Sequence, residues 1–253
     1  LPLSLKSIKI IAKGGIVLAQ IIEITPIGKV CTDFGSKFGI PRQSGLIEEL
    51  KGKIVFEKEY RRSEAFRGLE DFSHIWVLWQ FSENADKQWS PTVRPPRLGG
   101  NRRVGVFASR SPFRPNSIGI SCVRLDKIET DTTDGPVLYV SGVDMLDGTP
   151  VIDIKPYIPL ADSKPEATEG YTADTKKYTA NVKYINGTDK KFPEDRLGLL
   201  TEILGNDPRP SYKNVAEESY GINFAGYNII FTAKGTDITV TEIEKGEFNG
   251  TSD

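Results

Sequence analysis

The most concentrated chemistry in the chain lies between Lys87 and Leu125. Lys87, Arg94, Arg97, Arg102, Arg103, Arg110, Arg114 and Arg124 fall in this stretch, with no Asp or Glu among them. A guanidinium is a planar fork that meets a carboxylate or a phosphate through paired hydrogen bonds. So arginine-dominated a stretch points to an anionic ligand, against the plainer reading of a solvated basic loop. Pro95, Pro96, Gly99, Gly100, Pro112 and Pro115 bend and stiffen the backbone there. A second segment, GIPRQSGL from Gly39 to Leu46, sets a rigid Pro41 before one charge, Arg42, and one amide, Gln43. An exposed connecting loop would read the same way. A third, Ser141 to Tyr157, places Asp144, Asp147 and Asp153 around a strand–turn–strand. Asp is poor in strand interiors and wants a reason to be there. Turn chemistry suffices for Asp147 before Gly148. Asp153 and Lys155 have the two-residue spacing that puts both side chains on one face of a strand, where function and simple ion pairing are both open.

Other chemistries lose support. His74 is the only histidine, and Cys31 and Cys122 stand far apart without a Cys-x-x-Cys pair. A metal site built on Cys and His is therefore not expected. A serine–histidine mechanism would have to run through His74, which opens an apolar run and suits a structural role. Neither a glycine-rich dinucleotide turn nor a P-loop is present. With a net charge of −1, affinity for nucleic acid has to come from local clustering. Two cysteines in a chain of this size suit a reducing compartment.

Short strands position these residues. IEITPIGKV, KIVF, HIWVLWQF, VGVFAS, IGISCVRLDKIE, VLYVSGVDM and VIDIKPY read as strands, arriving at short intervals with little helix between them. That pattern predicts a mainly β protein: a single-sheet antiparallel β-barrel over residues 21–160. A small C-terminal α+β domain follows over 161–253. In it, Leu197, Leu199, Leu200, Ile203 and Leu204 have helical spacing and Gly205 is the expected stop; NFAGYNIIFTAKGTDITVTEIEKG reads as a hairpin or two strands. Residues 1–20 read as a leader or extension. Lys9 and Lys13 interrupt it, leaving it short of the ~20 apolar residues that span a bilayer.

FGIPRQSGL, RGLEDFSHIWVLWQF, RPPRLGGNRRVGVFASRSPFRPNSIGIS and DMLDGTPVIDIKPYIP, in this order, resemble the TrmO (YaeB) family, and DPRPSY resembles its C-terminal region. The resemblance covers about Ile22 to Tyr212. It implies a single-sheet β-barrel, usually a homodimer, that binds S-adenosylmethionine. It further implies methylation of N6 of threonylcarbamoyl-adenosine at position 37, in the anticodon loop of threonine tRNA, by a cytoplasmic enzyme with no metal and no membrane partner. Methylation of another substrate and a non-catalytic RNA-binding barrel are the alternatives.

On that resemblance the cofactor carboxylate is assigned first to Arg110 and then to Arg42. Its amine and ribose hydroxyls go to Asp144 and Asp147, and its adenine to a slot formed by Ile120 and the strand through Leu146. Pro41 and Gln43 close one side. Ser82 and Glu83 join the cofactor set, standing where relatives often carry His and a polar residue. Asp153 is the expected proton acceptor, and Lys155 is expected to hold a carbonyl or the threonyl carboxylate. Arg94, Arg97, Arg102, Arg103 and Arg114 are the expected RNA contacts, completed by Arg209 and Tyr212.

Overall fold

The computed structural model describes residues 22–84, 87–95, 98, 102–173, 179–209 and 218–246. The leader, Arg97 and Tyr212 lie outside the described residues.

Antiparallel pairing builds the first sheet. Strand β1 (Gly28–Thr32) pairs with β2 (Lys51–Phe56), and a seven-residue β3 (His74–Gln80) follows. A long excursion carries the two-residue strands β4 (Thr92–Val93) and β5 (Val104–Gly105), which pair only with each other. Then come β6 (Ile118–Glu129), β7 (Val137–Ser141) and β8 (Pro150–Pro156). The order β1-β2-β7-β6-β3-β8 closes into a six-stranded barrel. Alternation decides what fills it. In β3, Ile75, Val77 and Trp79 are buried while the residues between them are half-exposed, as a period of two requires. Val30, Ile54, Val123, Leu138, Val140 and Val151 are buried with them.

A short helix α1 (Pro159–Asp162) leaves the barrel. Beyond it lie β9 (Asn181–Tyr184), α2 (Glu194–Gly205), β10 (Glu218–Phe224), β11 (Tyr227–Lys234) and β12 (Asp237–Lys245). These strands form a sheet in the order β10-β11-β12-β9, with β9 parallel to β12. Leu200, Ile203 and Leu204 turn the buried stripe of α2 onto this sheet.

One sequence expectation needs correction and two are refined. VGVFAS is a strand only at Val104–Gly105. Its next residues form a 3-10 turn, because Val106 N–H bonds back to Pro91 O at 3.0 Å and buries its side chain. α2 does end on Gly205, but the glycine is not the left-handed residue that turns the chain. The chain leaves the helix through Asn206 and a left-handed Asp207 at φ 48°. The expected C-terminal hairpin is β11 with β12, and a further strand ahead of it, β10, pairs with β11.

The two sheets share one continuous apolar core. Phe34, just past β1, packs on Phe224 with ring centroids 5.3 Å apart and bridges it through the backbone. Asp33 forms an ion pair with Arg196 of α2, and its carbonyl accepts a bond from Ala225 N–H at 2.9 Å.

Candidate active site

The antiparallel order places the ends of β1, β3 and β7 and the starts of β2, β6 and β8 on one rim. Three connections rise from it: residues 33–50, 81–117 and 142–149. Most of the residues singled out in the sequence lie on them.

At the centre of this rim is Asp144. Its carboxylate accepts a hydrogen bond from Ser121 Oγ at 2.6 Å and others from the backbone N–H groups of Asp144 and Ser44. Burial is the largest influence on this carboxyl and pushes its pKa from 3.8 up to about 6; the hydrogen bonds and the nearby Arg110 charge offset only part of that. Arg110, exposed at the end of the arginine-rich loop, donates from Nη1 to Gln43 Oε1. Gln43, Ser44, Arg110, Ser121 and Asp144, drawn from all three connections and from β6, thus converge.

Ser121, Ser44 and Gly119 had no place in the sequence reading, and Trp79 only one in the core, yet together they hold Asp144. Trp79 Nε1–H donates to Ser121 Oγ at 3.0 Å, orienting that hydroxyl toward the carboxylate. The indole can do so because residue 119 is glycine: a Cβ there would lie 2.4 Å from the ring. Their signal in the sequence was the alternation of β6, which sends a glycine and a serine inward where apolar side chains are usual.

The strand β6 supplies a further feature. From Arg124 onward its edge is paired with β7, but its first residues pair only with β3. The opposite edge there is met by Ser44, whose Oγ accepts from Cys122 N–H at 3.2 Å. Backbone groups alternate between the two edges of a strand, so the N–H and C=O of Ile120 face the same open edge as those of Cys122. A planar ligand with a donor and an acceptor on one side can extend the sheet at that edge.

Other predicted residues stand elsewhere. Ile120 is 46% exposed, and its side chain faces the outer wall, opposite Ser121; only its backbone turns to the rim. Leu78 is flanked in register by Ile120 and Asp153, which puts Asp153 on that same outer face. Asp153 and Lys155 do share a face, forming an ion pair at 2.9 Å. It lies in water, on the far side of the sheet from Asp144, so within one chain the proton-acceptor assignment does not hold. Asp147 is occupied by the turn: its Oδ1 accepts from Thr32 N–H at 2.9 Å. Leu146 is half-buried in the same connection and accepts from Thr149 N–H.

Pro41 and Arg42 face α2 and the loop that follows it rather than Asp144. Pro41 is buried in a crevice with Ile203 and Pro208, and Arg42 Nη2 donates to Arg209 O at 2.6 Å. Ser82 and Glu83 are exposed at the rim in a 3-10 turn, where the Glu83 charge acts on Lys37. Arg94, Arg102 and Arg103 are exposed on the long connection. Arg103 braces Thr92, and Arg114 braces the carbonyls of Ser109 and Ser111. The expectation for Arg209 is corrected: it is 1% exposed and forked onto Asp207, out of reach of RNA.

Among the described residues there is no group of His, Cys, Asp and Glu fit to hold a metal ion, and no helix is long and apolar enough to cross a membrane. The rim does fit an amino acid joined to a nucleoside: an exposed guanidinium for a carboxylate, a half-buried carboxylate for an ammonium or hydroxyls, and an open strand edge for a base.

The family model described as the tRNA-methyltransferase O N-terminal domain matches residues 29–163, and that of the TrmO C-terminal domain matches 175–246. A tRNA (adenine(37)-N6)-methyltransferase of Escherichia coli is 39% identical over 88% of this chain and 97% of its own length. A probable S-adenosyl-L-methionine-binding protein of Pyrococcus abyssi is 34% identical over 61% of this chain and 78% of its own. A crystal structure of TrmO from Pseudomonas aeruginosa superposes with a TM-score of 0.71 at 31% identity, covering 91% of this chain and all of the other.

Proposed function

The chain belongs to the tRNA-methyltransferase O family, and from that premise we propose how its rim works. The protein is an S-adenosylmethionine-dependent methyltransferase that acts on N6 of adenine 37 in tRNA. The convergence of Arg110, Gln43, Ser44 and Ser121 on the raised carboxyl of Asp144 is the observation that carries the cofactor assignment.

In this reading Arg110 holds the carboxylate of the cofactor through a charge-assisted fork. Asp144 receives its ammonium or ribose hydroxyls, and the Ile120 N–H and C=O read its adenine. When bound, S-adenosylmethionine supplies a methyl group on a sulfonium, which is already a good leaving group. The work left to the protein is alignment of a weak amine nucleophile. A carbamoyl-bearing nitrogen that has gained a methyl group is strongly acidic, so its proton leaves without a strong base. That proton passes to solvent, which leaves the Asp144 carboxylate to the cofactor.

The preferred substrate is adenosine 37 already carrying a threonylcarbamoyl group, in threonine tRNA. The arginines of the 81–117 connection provide the positive surface for the anticodon stem–loop. The working unit is a cytoplasmic homodimer: Ile118, Ile120, Ile158 and Leu160 leave apolar surface beside β3 and past β8 that a second copy would cover. The test is methyl transfer to tRNA with and without the threonylcarbamoyl group, read by mass spectrometry of nucleosides. Methylated product only from modified tRNA is expected. Equal transfer to unmodified tRNA would remove the threonylcarbamoyl preference, and no transfer to either would overturn the reading.

A further inference from the structure

The 81–117 connection carries, besides its arginines, large aromatic side chains that stand open to solvent. Trp89 is 47% exposed, Phe107 76% and Phe113 42%. The loop does not leave them scattered. Ser90 N–H bonds to Phe113 O at 3.2 Å, and Val106 N–H bonds to Pro91 O at 3.0 Å. The backbones that carry Phe107 and Phe113 are thus both pinned to the 89–91 segment that carries Trp89. Arg110 lies midway between the two phenylalanines in sequence and reaches Gln43 beside Asp144. The aromatic group therefore adjoins the arginine at the candidate cofactor site.

We propose that Trp89, Phe107 and Phe113 form a stacking platform for unpaired bases of the anticodon loop, next to the site where the methyl group is transferred. The charge of the surroundings selects this occupant. No Asp or Glu occurs from Lys87 to Leu125, and Arg94, Arg102 and Arg103 are exposed on the same connection. Exposed rings set among cations match single-stranded RNA, whose phosphates meet the guanidinium groups while its splayed bases stack on the rings. RNA readers take bases out of their own stack and must replace the lost stacking; rings on a loop braced by Arg103 and Arg114 supply the replacement without further ordering. The platform rests on the tRNA reading above and adds to it which side chains hold the loop open at the reacting base.

The test uses the full chain, a synthetic anticodon stem–loop RNA and, as control, a duplex of its stem alone, with affinity measured by fluorescence anisotropy at several salt concentrations. Phe107→Ala and Phe113→Ala should each weaken stem–loop binding by roughly five- to a hundredfold, leave duplex binding unchanged, and keep the slope of affinity against salt, because no phosphate contact is lost. Phe113→Tyr should bind like the parent and Phe113→Leu should not, since stacking needs a ring. Unchanged affinity in both alanine variants would overturn the proposal, as would leucine serving as well as tyrosine. Loss of RNA binding in step with dissociation of the oligomer by light scattering would assign the rings to a second copy of the chain instead. Methyl transfer by the parent separates the two levels. If the parent methylates tRNA while the alanine variants still bind the stem–loop normally, only the platform fails; if the parent methylates nothing, the tRNA reading fails with it.

Discussion

Asp144 is the residue at which the account is most exposed to test. Burial holds its carboxyl at about 6 in the folded chain, against 3.8 for an ordinary aspartate. Between these values the folded state binds the proton and the unfolded state has lost it. Stability from this group is therefore greatest at low pH and falls as pH rises through that window, by up to about 3 kcal/mol. Asp144→Asn keeps an acceptor for Ser121 and removes the buried charge. The variant should be more stable than the parent at pH 8, by roughly 1–3 kcal/mol in denaturant melts. The advantage should vanish below pH 4. Cofactor affinity should show the opposite trend, rising in the parent through pH 6 and staying low in the variant. A variant no more stable than the parent at pH 8 would mean that the carboxylate is better solvated than its surroundings indicate. Asp147 presents the contrast: three residues further on, the same side chain closes a turn onto Thr32 N–H. Both aspartates stood out in the sequence, and only the turn geometry separates them.

At the scale of the element, β6 has three tasks: a wall of the barrel, a scaffold for Asp144 through Ser121, and an open edge beside Ser44. Its glycine is the tightest constraint, since Trp79 occupies the space of a side chain at 119. Gly119→Ala should force the indole off Ser121 and cost about 1–3 kcal/mol in thermal or denaturant unfolding, with a loss of cofactor affinity from the displaced carboxylate; an unperturbed Trp79 fluorescence spectrum would contradict this. The strands were legible in the sequence because alternation of apolar and polar residues is a local signal, as in HIWVLWQF. The spacing of Asp153 and Lys155 foretold their shared face correctly but could not say which face it was. That depends on the irregular register between Leu78 and Trp79, where β8 carries one extra residue. The extent of β5 was misread for a related reason. VGVFAS has strand composition, and only a distant contact, Val106 to Pro91, folds it into a turn.

The whole molecule is a barrel and a smaller α/β layer joined by one core, with the 33–50 connection wedged between them. That connection divides its residues: Pro41 and Arg42 serve the C-terminal layer, and Gln43 and Ser44 serve the rim. The sequence placed Pro41, Arg42 and Gln43 near one ligand because they are adjacent, and it held no sign that the chain would be shared between neighbours. Arg209 was misplaced for the same reason, an arginine in a proline-bearing loop being a surface residue until Asp207 and Gly235 O enclose it. Arg42→Ala should therefore act through stability. A loss of about 1–3 kcal/mol in unfolding is expected for a charged donor taken from buried carbonyls, along with a modest fall in cofactor affinity as the wedge loosens. A large loss of cofactor binding with stability intact would return Arg42 to the cofactor site.

The central claim is that the cofactor sits on the rim between Arg110 and Asp144, and not on the outer wall beside Asp153. Isothermal titration of S-adenosylmethionine into Arg110→Gln and Asp153→Asn tests it most directly. A loss of about ten- to a hundredfold in affinity for Arg110→Gln, with Asp153→Asn binding like the parent, is the predicted result. Normal binding by Arg110→Gln, or its loss in Asp153→Asn, would contradict the account.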